Sequence, residues 1–335
     1  MKKILITGGS GFIGSFVVEE ALRQGLETWV AVRRTSSREY LRDERIRFIE
    51  PNLGNYTELC RQLEEHKREH GAFDYVVHCA GVTKCADEAD FERVNTGHTE
   101  NLVNALRQTG MVPRRFVYLS SLSVMGPVND RDYRPISQDD EPQPNTAYAR
   151  SKLKAERFLQ EQKDFRCVIL RPTGVYGPRE KDYFLMAQSI ARHVDCSVGF
   201  RRQDLTFVYV KDVVQAVFLA LEHGRDGGAY FLSDGAVYSS RTFSDLIWEE
   251  LGRPFLIRLR LPLWVLWTVS EVAGRLAAWR RKSSTLNPDK YKIMKQRNWR
   301  CDITPSTTEL GYHPQYGLER GVKETIAWYK KEGWI

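Results

Sequence analysis

Cysteine is scarce and unpatterned in this chain of 335 residues: Cys60, Cys79, Cys85, Cys167, Cys196 and Cys301 are scattered with no CxxC pair. That removes the usual zinc and redox signatures, so no metal site is expected, and it offers no disulfide framework. Free thiols of this kind suit a reducing cytoplasm. Long apolar runs are missing too. Nothing approaches the ~18 uninterrupted apolar residues of a membrane span. After Met1-Lys2-Lys3 the run Ile4-Leu5-Ile6 breaks at Thr7-Gly8-Gly9, too early for a signal peptide. There is no internal repeat and no low-complexity tract. The 42% hydrophobic and 28% charged residues that are present describe a globular chain rather than a disordered one. The length suits about two domains.

Charge is unevenly placed. The net is +7 from 50 basic and 43 acidic residues. Between Arg258 and Arg300 stand eleven Lys/Arg against only Glu271 and Asp289, a local +9 that leaves the remainder near −2. Such a segment is either a solvated basic face or the seat of an anionic partner. No aromatic-rich basic motif of a nucleic-acid binder accompanies it, so no nucleic-acid partner is expected.

The first half alternates short apolar runs with amphipathic ones. Ile4–Thr7, Thr28–Val32, Ile46–Ile49, Tyr75–Cys79, Phe116–Leu119 and Cys167–Leu170 read as buried strands. Phe16–Arg23, Asp90–Arg107 and Ala147–Gln162 read as helices between them. This alternation predicts an α/β fold, a Rossmann-type doubly wound parallel sheet. Residues 1–172 would form the nucleotide domain and 173–335 a smaller, mainly substrate-binding region, with segments at about 207–232 returning to the core.

Strand Ile4–Thr7 runs into Gly8-Gly9-Ser10-Gly11-Phe12-Ile13-Gly14 and then a helix. Glycines at 8, 11 and 14 permit a tight turn and bring helix N-terminal amides onto a pyrophosphate. Glycines also mark ordinary turns, but the strand before and the helix after favour a dinucleotide. An NAD site usually ends the second strand with an acid that bonds the ribose hydroxyls. Here the chain reads Val32-Arg33-Arg34-Thr35-Ser36. Two guanidiniums and Ser36 suit the 2′-phosphate of NADP instead.

Tyr148 and Lys152 form a YxxxK pair on one helical face. With 15 Tyr in the chain about one chance match is expected, and Tyr291 with Lys295 is a second one. Position separates them, because only Tyr148 follows the fifth strand of the nucleotide fold, near the carboxyl edge where such sheets bind ligands.

Taken together, TGGSGFIG, HCAG at 78–81, Asn95, LSSLSVMG at 119–126, YARSK at 148–152, RPTGVYGP at 171–178 and FVYVKDV at 207–213 resemble the extended short-chain dehydrogenases/reductases. That superfamily holds NAD(P)-dependent epimerases, dehydratases and reductases, and the likeness covers nearly the whole chain. The resemblance implies that Tyr148 moves the proton, that Ser121 polarises the substrate oxygen, and that Lys152 bonds the nicotinamide ribose. An ammonium beside Tyr148 would also stabilise its phenolate. The resemblance further implies that Asn52 and Leu53 lie by adenine, that Ala80, Gly81 and Val82 line the cofactor, and that Pro172, Thr173 and Val175 border the nicotinamide. Asn95 is either a cofactor contact or a structural amide. Ser123 and Lys84 are candidate substrate contacts. A homodimer through the helices near 90–107 and 147–162 is implied as well.

Departures from the pattern narrow the choice. Dehydratases resembling this chain carry an Asp-Glu pair after the catalytic hydroxyl, where Leu122-Ser123 stands here. An arginine for a sugar diphosphate is absent beside Leu205-Thr206-Phe207, although Arg201 and Arg202 lie upstream. From Leu261 the chain turns apolar and Trp-rich, then basic, as in the subgroup resembling 3β-hydroxysteroid dehydrogenases and dihydroflavonol reductases. That segment reads as an interfacial helix touching the inner face of a membrane, or as a core helix flanked by solvated arginines. The expected activity is NADPH-dependent reduction of a ketone on a small hydrophobic substrate, a sterol or a long-chain 3-oxo lipid such as 3-ketosphinganine. A nucleotide-sugar epimerase or reductase is one alternative and a non-catalytic NADP-binding regulatory protein is another.

Overall fold

The computed structural model describes residues 1–85, 87–279 and 288–335, with the side chains of 274–279 left aside. Six strands open the chain: β1 (Lys3–Thr7), β2 (Glu27–Ala31), β3 (Arg47–Ile49), β4 (Tyr75–His78), β5 (Arg115–Leu119) and β6 (Cys167–Pro172). Five more follow: β7 (Gly174–Tyr176), β8 (Val194–Val198), β9 (Phe207–Tyr209), β10 (Ala229–Leu232) and β11 (Ile257–Leu261). Seven of them make one sheet in the order β10-β6-β5-β4-β1-β2-β3, and every pairing in it is parallel.

Strand periodicity sorts the core onto two faces. Ile4 and Ile6 point into one cluster and Leu5 into the other. The first face is covered by α1 (Phe12–Arg23) and α7 (Val210–Glu222), through Val17, Val18, Ala21, Val213 and Val217. The second is covered by α2 (Tyr56–His70), α4 (His98–Gln108) and α5 (Ala147–Glu161), through Leu59, Leu63, Leu102, Leu106, Ala155 and Leu159. The stretch Asp90–Arg107, expected as one helix, is divided among a short α3 (Glu88–Phe91), a π-helical stretch Glu92–Gly97, and then α4. The wider turn carries Asn95 and Thr96 into the protein, where both bond Ser151 of α5.

The remaining elements form a second aromatic core around Tyr176, Phe207, Tyr209 and Phe243. It is built by β7 paired with β9, and by α6 (Asp182–Ala191), α8 (Thr242–Glu250) and α12 (Leu318–Lys331). Within 207–232 the chain divides: β10 adds to the edge of the main sheet beside β6, whereas β9 pairs with β7 apart from it. A small parallel pair, β8 with β11, leads into α9 (Leu263–Trp279) and α10 (Pro288–Lys295). The chain then returns to the nucleotide half, where Cys301 bridges Ile136 and α11 (Thr304–Leu310) supports β10 through Ser306 Oγ, which donates to the Phe231 carbonyl.

Candidate active site

Parallel strands bring their carboxyl ends to one edge, and the signature loops converge there. After β1 the chain turns at Gly8, which has φ of +69°. A Cβ on Gly8 would stand 2.7 Å from the Ala80 nitrogen, and one on Gly14 would stand 2.2 Å from the Gly8 carbonyl. Neither space exists, so both positions require glycine. The Gly11 N–H donates to the Gly8 carbonyl, and no side chain caps the start of α1. The amides of Phe12 and Ile13 therefore have no side-chain partner at a helix N-terminus facing the loop that holds Ser10, a site suited to phosphate.

Thr7 ties this loop to β4. Its hydroxyl meets His78 Nδ1 at 2.7 Å and accepts from the Ala80 N–H at 3.2 Å, while His78 Nε2 meets Thr99 at 3.0 Å. Burial pushes the His78 imidazole down to about 3, so it is a neutral strut. Asn95 holds the next residues: Oδ1 accepts from the Val82 N–H and Nδ2 donates to the Val82 carbonyl and to Ser151 Oγ. Gly81 lies against Asn95 Oδ1 and Lys152 Nζ, so Ala80, Gly81 and Val82 run past the catalytic helix.

At the end of β2, Arg33 and Arg34 are exposed and form a turn closed by Ser36, whose Oγ accepts from the Arg33 N–H. Asn52 and Leu53 stand beyond β3. Asn101 Nδ2 donates to the Leu53 carbonyl, and a Cβ on the neighbouring Gly54 would touch His98 Nε2 at 3.4 Å. That nitrogen is buried with no partner. Burial, with Arg93 and Arg33 nearby, holds the His98 imidazole below its usual range. On the far side of the edge, β6 delivers Pro172 and Thr173, and β7 carries Val175. The hydroxyls of Thr173 and Ser120 are both buried without a partner. A glycine cradle, a free helix N-terminus and unpartnered buried groups at both ends fit an extended dinucleotide.

The candidate catalytic groups sit on α5 and just after β5. Ser121 caps the short turn Leu122–Met125, and its Oγ accepts from the Ser123 N–H and from Ser123 Oγ. Tyr148, Lys152 and Glu156 repeat every four residues along one face of α5. Burial pushes the Tyr148 phenol up to about 12, with Ser121 hydrogen bonding opposing it. Lys152 Nζ donates to the Leu119 carbonyl at 2.8 Å and lies over the Tyr118 ring. Burial lowers Lys152 to about 8, against smaller opposing effects of Cys79 and Glu156. Burial thus favours the neutral form of both groups.

Several contributors carry no signature in the sequence. Glu156 forms a buried ion pair with Arg171 of β6 at 2.6 Å, locking α5 to the sheet. Asp289 of α10 accepts from the Ala147 N–H at 2.7 Å, capping α5 one residue before Tyr148. Lys84 meets Asp182 of α6 at 2.5 Å, and Lys290 reaches the same carboxylate at 3.7 Å. Of the two upstream arginines, Arg202 is held by Asp204 through two bonds of 2.7 Å, while Arg201 is exposed. Among the described residues no cluster of His, Cys, Asp and Glu could hold a metal ion.

Comparison with known proteins agrees with this geometry. A model of the NAD dependent epimerase/dehydratase family matches residues 4–232. The chain is 26% identical to a UDP-glucose 4-epimerase of Vibrio cholerae, covering 97% of this chain and 94% of that one. It is also 26% identical to a 3-beta-hydroxysteroid dehydrogenase of Mycolicibacterium neoaurum, covering 98% and 91%. In fold it resembles the UDP-glucose 4-epimerase of Thermotoga maritima solved with UDP-glucose, with a TM-score of 0.78 at 22% identity over 98% and 99% of the two chains. The Bordetella bronchiseptica enzyme WbmG, solved with NAD and UDP, gives 0.76 at 23% identity over 99% and 96%. The chain belongs to the NAD-dependent epimerase/dehydratase family, and is an NAD(P)-dependent oxidoreductase of the extended short-chain dehydrogenase/reductase type.

Proposed function

We propose that this protein is an NADPH-dependent reductase that converts a ketone on a hydrophobic substrate, such as a long-chain 3-oxo lipid or a sterol, to a secondary alcohol. The observation that carries the cofactor choice is the end of β2. Two exposed arginines with no acidic partner among the described residues occupy the turn where an NAD site places a carboxylate. A 2′-phosphate would complement them.

When bound, NADPH supplies the hydride to the carbonyl carbon. The protein's part is to hold the oxygen and protonate it. Ser121 offers its hydroxyl to the carbonyl oxygen, with Ser123 donating to Ser121 Oγ from behind. Tyr148 is fully protonated at neutral pH and gives its proton to the developing alkoxide. Lys152, fixed on the Leu119 carbonyl, would hold the nicotinamide ribose and supply positive charge there. A pure nucleotide-binding regulator has no use for this acid.

The choice of a hydrophobic ketone is supported by what stands around Ser121. Leu122 is buried where related dehydratases carry a carboxylate, and Arg202 is consumed by Asp204 rather than free for a diphosphate. The likeness to a 3-beta-hydroxysteroid dehydrogenase is consistent with it. The UDP-glucose 4-epimerase relative keeps nucleotide-sugar epimerisation as the second reading. Oxidation of NADPH by long-chain 3-ketones and steroid ketones, set beside redox-neutral conversion of nucleotide sugars, decides between them. Turnover with a lipid ketone that vanishes in Tyr148→Phe supports the reductase. Silence with every ketone, together with epimerisation of a nucleotide sugar, overturns it.

A further inference from the structure

Half of the large apolar side chains that the described residues leave exposed fall in one stretch, between Phe255 and Val272. In the β8–β11 pair, register sets Ile257 beside Val194 and Leu259 beside Cys196 on one face, and Arg258 beside Asp195 on the other. The second face is covered by α8, where Asp245 holds Arg258 and Arg241 holds Asp195. The first face has no such cover: Ile257 and Leu259 are 48% and 43% exposed, and Phe255 just before them is 76% exposed. Phe200, two residues past β8, is exposed with the Arg260 guanidinium over its ring.

The apolar surface continues onto α9. Leu266 and Ser270, one turn apart, are its buried line. Trp264, Trp267 and Val272 lie on the outward arc at 69%, 51% and 61% exposure, with only Thr268 and Glu271 between them. Leu263 reaches back to Gly199, which joins the helix to the strand pair. No helix among the described residues is long and apolar enough to cross a membrane.

The chemistry of the surroundings selects the occupant. Arg201 is exposed with no acidic partner among the described residues, Arg260 is bound only to a carbonyl and a ring, and Arg280-Arg281-Lys282 follow α9 in the sequence. Exposed tryptophans and aliphatics bordered by Arg201 and Arg260, which have no acidic partner among the described residues, match a headgroup layer, where indole and aliphatic groups enter the acyl boundary and cations meet anionic phosphates. We propose that the surface made by β11 and α9 seats this protein on an anionic lipid bilayer. The proposal does not depend on which ketone is reduced.

Sedimentation of the full chain with vesicles tests it. One set is phosphatidylglycerol mixed with phosphatidylcholine, and the other is phosphatidylcholine alone. The expected result is co-sedimentation with the anionic vesicles, weaker with the neutral ones and weakened by salt. The double variant Trp264→Glu/Val272→Glu should lower the partition coefficient by about tenfold or more while NADPH binding stays unchanged, which shows that the chain is folded. Wild-type protein that stays in the supernatant with both vesicle types overturns the proposal. So does a double variant that sediments like wild type. A variant that instead dissociates an oligomer, with no lipid dependence in either form, would assign the surface to a second copy of the chain and also overturn it.

Discussion

Replacing Glu156 with glutamine removes one half of an ion pair that has no substitute partner. Arg171 donates from Nε and Nη2 to the Glu156 carboxylate at 2.6 to 3.2 Å, and its Nη1 finds only the sulfur of Met125 at 3.5 Å. The Phe231 ring closes another side. Both side chains are almost wholly withdrawn from water, at 7% and 0% exposure. A guanidinium left there cannot neutralise itself and cannot reach solvent. Breaking such a pair costs about 3–5 kcal/mol, which is a few hundredfold to a few thousandfold in the folding equilibrium. The sharper expectation concerns the pair as a whole. Exchanging both groups, Glu156→Met with Arg171→Met, removes two desolvated charges from apolar walls and should restore most of the lost stability. Urea unfolding followed by far-ultraviolet circular dichroism measures all three variants. A single substitution costing under about 1 kcal/mol, or a double variant no more stable than the single one, would refute the claim that an unpaired buried charge is the penalty.

Four further outcomes are expected. Tyr148→Phe should abolish turnover while NADPH still binds, checked by fluorescence titration beside steady-state rates. In the reductive direction the Lys152 charge is present below its pKa of about 8 and lost as pH rises through it, so the rate should fall above that value. Tyr148, near 12, stays protonated throughout that window, and an otherwise folded Glu156→Gln enzyme should show the same falling limb at lower pH. Arg33→Ala with Arg34→Ala should weaken NADPH by roughly 10- to 100-fold and leave NADH nearly unchanged, since charged hydrogen bonds contribute about 1.5–3 kcal/mol; calorimetric titration of both cofactors reads this. Gly14→Ala forces a methyl against the Gly8 carbonyl and should lower cofactor affinity at least about tenfold, measured by the same titration.

The sheet was legible because burial on both faces leaves a plain mark: short, largely β-branched runs such as Ile4–Thr7 and Tyr75–Cys79 have no other stable use. Gly8, Gly14, Tyr148 and Lys152 were legible because local chemistry fixes both residue type and spacing. Other features depend on contacts between distant segments. Glu156 reads in the sequence as an ordinary charge on an amphipathic helix, and only the packing of α5 on β6 sets it against Arg171. The π-helical stretch at Glu92–Gly97 leaves no mark in hydrophobic spacing, since it serves to aim Asn95 and Thr96 at Ser151. Trp264 and Trp267 were ambiguous between core and surface for a similar reason: an apolar arc is the same in sequence whether a neighbour covers it or not.

The cap that Asp289 places on α5 bears on how the enzyme comes into being on the ribosome. Ala147 and Asp289 are separated by 142 residues, whereas the last strand of the main sheet ends at Leu232. The wall beside Ser121 waits even longer, because Gly126 is held by Gln296 and Ile136 pairs with Cys301. A nascent chain therefore holds every strand of its nucleotide-binding sheet, and the Thr146 cap of α5, well before the Ala147 N–H finds its partner. A chain cut between Leu232 and Pro288 keeps the glycine cradle and the arginine turn but lacks the carboxylate beside Tyr148. Cofactor capture and catalysis are separated in the order of synthesis, and the final seventh of the chain is what joins them.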